Sequence, residues 1–254
     1  MTMPDILLVG CGKMGSALLR RWKELGIAKN ISVVEPAQGM SAPPDSFKPD
    51  IVVFAVKPQV LPEIAGTYKK YEGVLFLSIA AGKPVSFFEK HLGAGAKIVR
   101  AMPNTPAAIG QGITVACANK NVSSAEKKQA ESLLAAVGEV LWVEDENLLN
   151  PVTALSGSGP AYVFLLIEVL AKAGVRIGLE KFMAEKLARQ TVIGAAALAA
   201  HDAALSAAVL RENVTSPGGT TEAALKILMA NPGIQGLFDE ALAEASRRAA
   251  ELSG

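Results

Sequence analysis

The sequence predicts an α/β fold, a doubly wound parallel sheet followed by an all-helical unit, on three observations. Short, continuous apolar runs alternate with stretches of helical spacing through the first part of the chain, which is the signature of βαβ crossovers. The first of these runs breaks into a glycine-rich turn that opens a helix. Beyond Pro151 no further strand run occurs, and the chain becomes alanine-rich and helical. These features divide it into residues 1–148 and 149–254. With 254 residues, half of them hydrophobic, there is enough chain to bury a sizeable core.

Asp5 to Val9 reads as the first strand, and Ala17, Leu18, Leu19, Trp22 and Leu25 then follow Gly10-Cys11-Gly12-Lys13-Met14-Gly15 with helical spacing. In a dinucleotide-binding unit the first glycine allows the tight turn, the second admits the pyrophosphate to the backbone, and the third lets helix and strand pack closely. The second strand, 31–34, ends in Glu35, about 20 residues beyond the last glycine, where a carboxylate accepts from both ribose hydroxyls. Such a carboxylate repels a 2′-phosphate, and no Lys or Arg follows until Lys48, so NADH is favoured over NADPH. The alternative is a surface glutamate turned away from the loop.

Pro43, Pro44 and Pro49 punctuate a short loop before the run 50–56, which is apolar throughout, as a parallel strand covered on both faces must be. Lys57-Pro58 ends it, placed either to line a cofactor crevice or merely to turn the chain. Strands at 73–79 and 96–101 flank a helix over 84–91. Ala101-Met102-Pro103-Asn104-Thr105-Pro106 then makes a rigid loop suited to a nicotinamide face. A strand at 113–118, a helix near 124–137 and a strand at 139–143 complete the sheet, which is expected to be parallel.

In the second half, Leu155-Ser156-Gly157-Ser158-Gly159-Pro160-Ala161 reads as a loop opening an apolar helix over 161–173. Glu168 and Lys172 interrupt that helix at i,i+4, and it falls short of the roughly 20 residues of a membrane span. It is expected to be buried and packed on both sides. The Ala-rich run 192–200 suits close helix approach, in a bundle or a dimer interface, and so apolar a tail calls for a partner chain.

Asn213-Val214-Thr215-Ser216-Pro217-Gly218-Gly219-Thr220-Thr221 is a loop feeding a helix N-terminus. Unpaired amides, the helix dipole and three hydroxyls suit a small carboxylate. An ordinary N-cap uses the same residue types, and the residues alone leave both readings open.

The formal net charge of +1 gives no basic field for nucleic acid, so a small-molecule partner is expected. Cys11 and Cys117 are too few for a disulfide framework and lack metal spacing, so both are read as reduced and no metal is expected. The start, Met1-Thr2-Met3-Pro4-Asp5, has no positively charged n-region, and cytoplasmic residence is the expectation. The two histidines, His91 and His201, lie outside every motif, which argues against His-based acid/base chemistry.

Taken together, the motifs resemble those of pyrroline-5-carboxylate reductase. The matching segments begin at Val9 (Val-Gly-Cys-Gly-Lys-Met-Gly-Ser), Phe54 (Phe-Ala-Val-Lys-Pro-Gln), Arg100 (Arg-Ala-Met-Pro-Asn-Thr-Pro-Ala), Ala154 (Ala-Leu-Ser-Gly-Ser-Gly-Pro-Ala-Tyr) and Val214 (Val-Thr-Ser-Pro-Gly-Gly-Thr-Thr), in the family's order over nearly the whole chain. The resemblance implies a Rossmann-type domain, then a helical domain that interlocks with its counterpart in a homodimer, with rings of dimers beyond it. It implies reduction of the C=N bond of 1-pyrroline-5-carboxylate by NADH or NADPH to give L-proline, the last step of proline biosynthesis.

By resemblance, the cofactor falls to Gly10, Gly12, Lys13, Met14, Gly15, Glu35, Ala55, Val56, Lys57, Pro58, Ala101, Met102, Pro103 and Asn213. Ser216, Gly218, Gly219, Thr220 and Thr221 fall to the substrate carboxylate, and this loop meets the partner subunit's cofactor. Thr221 is expected to hydrogen-bond the ring nitrogen as the catalytic residue. Two departures stand out. Glu35-Pro36 replaces the Ser, Asn or Arg of many members, and 201–210 lacks the usual His-Pro pair. The rival readings are a β-hydroxyacid dehydrogenase, for which Lys172, Lys181 and Lys186 lack a glycine motif, and a nucleotide-sensing protein that turns nothing over.

Overall fold

The computed structural model describes residues 3–40, 42–43 and 46–253, so Met1, Thr2 and Pro44 of the expectations above lie outside the described residues. Seven strands form one sheet: β1 Asp5–Val9, β2 Asn30–Val34, β3 Ile51–Phe54, β4 Leu75–Ser78, β5 Lys97–Met102, β6 Gly112–Ala118 and β7 Gly138–Trp142, in the order β2-β1-β3-β4-β5-β6-β7. Four helices accompany them: α1 Lys13–Leu25, α2 Leu61–Ile64, α3 Val85–Leu92 and α4 Ser124–Ala135.

Alternation along β1 shows why its run is continuously apolar. Ile6 and Leu8 enter one core with Leu18, Trp22, Val53 and Leu133, while Leu7 and Val9 enter the other with Phe54, Leu61 and Phe88. Both faces are covered, so no position can be polar. Trp22 is wholly buried, and its indole N–H donates to Leu133 O at 2.8 Å, satisfying its one polar atom. Val9 pairs in register with both Val34 and Phe54, so the chain leaves β1, β2 and β3 at one edge of the sheet.

One strand departs from the expected parallel sheet: β6 runs antiparallel to β5. The connection between them is only a 3₁₀ turn at Thr105–Ile109, too short for a crossover, so the chain doubles back. The helix α4 then supplies a true crossover, and β7 is again parallel to β6. The start of α4 carries a capping box, with Ser123 and Glu126 each satisfying the other's backbone amide.

The remaining elements are α5 Leu149–Val152, a π-helical turn at Thr153–Gly157, α6 Gly159–Arg176, α7 Lys181–His201, α8 Ala207–Asn213, α9 Thr220–Leu228 and α10 Ile234–Ser253. The chain divides into a compact unit of Met1–Ser158 with Ala243–Gly254 and a second of Gly159–Leu242. The sheet unit thus continues past residue 148 and takes back the end of α10. Leu149 is fully buried against Val115 and Cys117, which ties α5 to that unit.

The expected loop from Leu155 is not a loop, because Leu155, Ser156 and Gly157 are helical. The hydroxyls of Thr153 and Ser156 bond back to Leu149 O (2.6 Å) and Val152 O (3.0 Å), and Ser158 N donates five residues back to Thr153 O (2.9 Å), which makes the π turn. The helical run therefore spans Glu146–Arg176, long and apolar enough on those two criteria to cross a bilayer, contrary to expectation. In its first turns only Leu149 and Ala154 are buried, while Leu148 and Leu155 are exposed, and the 18 residues of α6 carry Glu168, Lys172 and Arg176. Nor is α6 buried within the single chain. It packs along α7, Tyr162 near its start meets Phe238 of α10 edge to face at 6.2 Å, and only Ala171 is buried, because these contacts leave most of its surface uncovered.

Candidate active site

The glycine loop sits where β1 meets α1, and each glycine has a separate reason. At Gly10, φ is +94°, a conformation that side-chain-bearing residues rarely adopt, and a Cβ there would lie 2.7 Å from the carbonyl of Ala55 and from Val56. At Gly15 a Cβ would sit 2.4 Å from Gly10 O, so only glycine lets α1 start this close to the strand. Gly12 is different: a Cβ there meets no protein atom within 4 Å. It is also the N-cap of α1 and brings no capping side chain, and the first turn holds no acid. The first-turn amides of α1 thus have neither an intrahelical nor a side-chain acceptor among the described residues, which suits a pyrophosphate.

Glu35 turns toward this loop. One carboxylate oxygen accepts from Cys11 N at 2.8 Å, and the other from Ala37 N at 3.3 Å, within a tight turn closed by Glu35 N donating to Met40 O at 2.7 Å. The reading of a glutamate turned away is therefore excluded. Burial, and then the neighbouring Glu35 charge, push the Cys11 thiol up from its ordinary value, so it stays neutral beside the loop.

Ala55 and Val56 leave β3 at the same edge, held by Ala55 N donating to Val9 O at 2.7 Å. Lys57 and Pro58 lie in a turn ahead of α2 rather than at a helix start, with Lys57 exposed. Order reversal beside β1, between β2 on one side and β3 on the other, makes this edge the switch point at which doubly wound sheets take ligands. Ala101 and Met102 end β5, and Pro103 is buried.

Asn104 braces the loop that follows: its amide donates to Ser156 O at 3.2 Å, and its carbonyl accepts from Ile113 N at 2.9 Å. Beside it, Gly157 leaves room for the Met102 methyl, since a Cβ would lie 2.8 Å from it. Arg100, 5% exposed, pairs with Glu146 at 2.8 Å, and the same Glu146 oxygen accepts from Val85 N at the start of α3. Sequence reasoning missed this pair. A charged residue inside the apolar run of β5 was the available signal, but no spacing pointed to its partner.

The helical unit holds the second group. Gly218 adopts φ +72°, and Gly219 is the N-cap of α9 with no side-chain cap. Thr220 and Thr221 are the first two residues of the helix, so neither is its N-cap, and the plain capping reading fails for them. Gly219 N donates to Ser216 O at 3.0 Å, folding the turn, while Gly218 N donates to a Glu222 carboxylate oxygen at 2.8 Å. Thr221 is half-buried, and Ser216 and Thr220 are exposed. Asn213 ends α8 just before this loop, so it lies with the substrate-type residues and apart in the chain from the other residues assigned to a cofactor.

His91 bonds Phe87 O one turn earlier in α3, and His201 bonds its neighbour Asp202, so each is engaged locally. No cluster of three or more His, Cys, Asp or Glu suited to a metal occurs among the described residues.

Comparison with known proteins places these two groups in context. Residues 146–252 match a family model described as pyrroline-5-carboxylate reductase dimerisation, and residues 5–82 match one described as NADP oxidoreductase, coenzyme F420-dependent. The pyrroline-5-carboxylate reductase of Pseudomonas aeruginosa is 40% identical over 272 aligned residues, covering 100% of this chain and 98% of that protein. That of Methanosarcina acetivorans is 37% identical, covering 96% of each. Among solved structures, a pyrroline-5-carboxylate reductase from Coxiella burnetii superposes with a TM-score of 0.91 at 38% identity over all of both chains. A Plasmodium falciparum pyrroline carboxylate reductase with NADP bound gives 0.83 at 30%, again over all of both.

Proposed function

The chain belongs to the pyrroline-5-carboxylate reductase family, and from that premise we propose how its own residues carry the reaction. It is an NAD(P)H-dependent oxidoreductase that reduces the C=N bond of 1-pyrroline-5-carboxylate to give L-proline, the last step of proline biosynthesis, and it assembles as a homo-oligomer.

The bound nicotinamide supplies the hydride. The loop of Gly10, Gly12, Lys13, Met14 and Gly15 takes the pyrophosphate on the first turn of α1. Ala55 to Pro58 and Ala101 to Pro103 flank the remainder of the cofactor, and Asn213, beside the loop that meets the partner's cofactor, lies near the nicotinamide ribose there. The Glu35 carboxylate, already oriented by Cys11 N and Ala37 N, accepts from the adenosine ribose hydroxyls and disfavours a 2′-phosphate, so NADH is the preferred form.

The N-terminus of α9, whose N-cap Gly219 brings no side-chain acceptor, carries the substrate assignment. Ser216, Gly218, Gly219, Thr220 and Thr221 hold the substrate carboxylate there, where the dipole favours an anion. A protonated imine is already electrophilic, so the protein needs mainly to position it. The Thr221 hydroxyl hydrogen-bonds the ring nitrogen and steadies the developing amine. This loop of one protomer meets the cofactor of its partner in a homodimer, dimers assemble further into rings, and the enzyme works in the cytoplasm. Functionally, residues 1–148 carry the cofactor and 149–254 the substrate and the dimer contact, a division supported by the dimerisation match beginning at residue 146.

The test is cofactor oxidation in the presence of 1-pyrroline-5-carboxylate, run with NADH and with NADPH. A higher kcat/KM with NADH is expected, and Glu35→Ser should shift the ratio toward NADPH by about tenfold or more, as removal of a like charge does. Ser216→Ala should raise KM more than it lowers kcat, whereas Thr221→Ala should lower kcat. Unchanged turnover in Thr221→Ala would remove that residue from the chemistry.

A further inference from the structure

We propose that Glu222 is a built-in competitor for the substrate carboxylate, one that substrate must displace from the Gly218 amide before it binds. The inference rests on the assignment of the α9 N-terminus to that carboxylate. The contact is direct, with Gly218 N donating to Glu222 Oε2 at 2.8 Å. The other glycine amide of the loop is already committed, since Gly219 N donates to Ser216 O at 3.0 Å. The Glu222 side chain therefore holds one of the donors that an incoming carboxylate needs, and it brings a negative charge to the same helix terminus. Two carboxylates there repel each other, so both cannot be seated at once.

A cation that can draw Glu222 away stands one turn along the helix. The Nζ of Lys226 is 3.8 Å from the same Oε2. Glu222, Lys226 and Arg211 line one cavity of about 400 Å³ together with Thr215, Leu225 and Met229. Glu212 also lines it and pairs with Arg211 at 3.4 Å. Lys226, whose side chain is 74% exposed, has no other ion-pair partner among the described residues and can draw the displaced carboxylate away from the loop. In the proposed switch Glu222 keeps its bond to Gly218 N while the site is free and gives it up for a closer pair with Lys226 when a carboxylate arrives. The loop keeps its shape without substrate, and a ligand gains from the switch only if it is itself an anion.

The readout is a comparison of 1-pyrroline-5-carboxylate with 1-pyrroline, which has the same ring and no carboxylate. If Glu222 holds the amide in most free molecules, Glu222→Ala should lower the KM for 1-pyrroline-5-carboxylate by about fivefold, the cost of a site that is competent only part of the time. The KM for 1-pyrroline should not move, nor should kcat for either substrate. Glu222→Gln keeps an acceptor for Gly218 N without the charge, so it should shift KM in the same direction by less while retaining the fold. A raised KM for 1-pyrroline-5-carboxylate in Glu222→Ala, or equal changes for the two substrates, would overturn the proposal and leave Glu222 as a helix cap. The site assignment is tested separately by the unmodified enzyme. If it handles both substrates with the same KM, no carboxylate is read at α9 and the competitor falls with it. If it discriminates between them and Glu222→Ala changes nothing, only the competitor falls.

Discussion

Substituting alanine at Gly15 and at Gly12 separates a glycine required by packing from one required by a ligand. At Gly15 the new methyl would lie 2.4 Å from Gly10 O, 1.0 Å short of the 3.4 Å at which ordinary contact begins, and 3.2 Å from the Ala55 methyl. The backbone carbonyl of a turn locked by Gly10 at φ +94° cannot swing aside, so α1 has to back away from β1. That helix buries Leu18 and Trp22 in the core, and overpacking of this kind costs about 1–3 kcal/mol. For a chain of this size that is a fall in Tm of roughly 3–10 °C. At Gly12 the methyl meets nothing, and the only structural penalty is a poorer N-cap, at most about 1 kcal/mol. Thermal unfolding followed by circular dichroism, with the KM for NADH measured on the same preparations, provides the assay. Gly15→Ala should be the less stable protein, while Gly12→Ala should stay close to the parent in Tm and lose cofactor affinity by about tenfold or more, as an intruding methyl at a phosphate does. Equal losses of Tm in the two variants, or an unchanged KM for NADH in Gly12→Ala, would refute the division of roles.

Glu146→Ala should lower the urea midpoint by the equivalent of about 3–5 kcal/mol, because it strands the buried Arg100 and the Val85 amide, whereas Arg100→Met should cost less. At Glu126, burial opposes ionisation, but hydrogen bonds from Lys97 and Ser123 outweigh it and hold the carboxyl below its ordinary 4.5. A carboxylate depressed by folding contributes its stability above the unfolded value and loses it as pH falls through the folded one. The gap in Tm between the parent and Glu126→Gln should therefore be full at neutral pH and close progressively below pH 4.5. Phe164→Glu on the exposed face of α6 should shift the protein toward monomer in light scattering, and the parent's Tm should fall on dilution.

Much of the sheet unit was legible because its constraints are local. Strand runs such as Ile51–Phe54 are apolar because both faces are covered, and the glycine loop can adopt its turn only with glycines at Gly10 and Gly15. The reversal at β6 was not legible, since an apolar run has the same composition in either direction and only the short Thr105–Ile109 connection decides it. The π turn was misread as a loop because Ser156, Gly157, Ser158 and Gly159 carry loop composition, while their backbone is held by hydroxyls bonding back along the helix. In the candidate site, the spacing of Glu35 after the glycines anticipated a carboxylate near the loop, and its bond to Cys11 N places it there. The Arg100–Glu146 pair and the Asn104–Ser156 contact join residues 46 and 52 positions apart, a separation at which no periodicity carries information.

The burial pattern of the helical unit has a consequence for the chemistry. Between Gly159 and Leu242 the only buried hydrophobics among the described residues are Ala171, Ala184 and Ala188, while Phe164, Leu165, Val169, Phe182, Leu187 and Leu237 are all exposed. Burying one large apolar side chain is worth about 1.5–3 kcal/mol, and three alanines cannot offset the entropy of ordering so many residues. The stabilising contacts of α6 to α9 must therefore come largely from another copy of the chain, in keeping with the dimerisation match over 146–252. The α9 loop is carried on this unit, so its amides and hydroxyls hold their geometry only while the unit is folded. Association, folding and the geometry of the proposed carboxylate site are then one equilibrium, and conditions that separate the protomers should disrupt the α9 loop before they disturb the glycine loop.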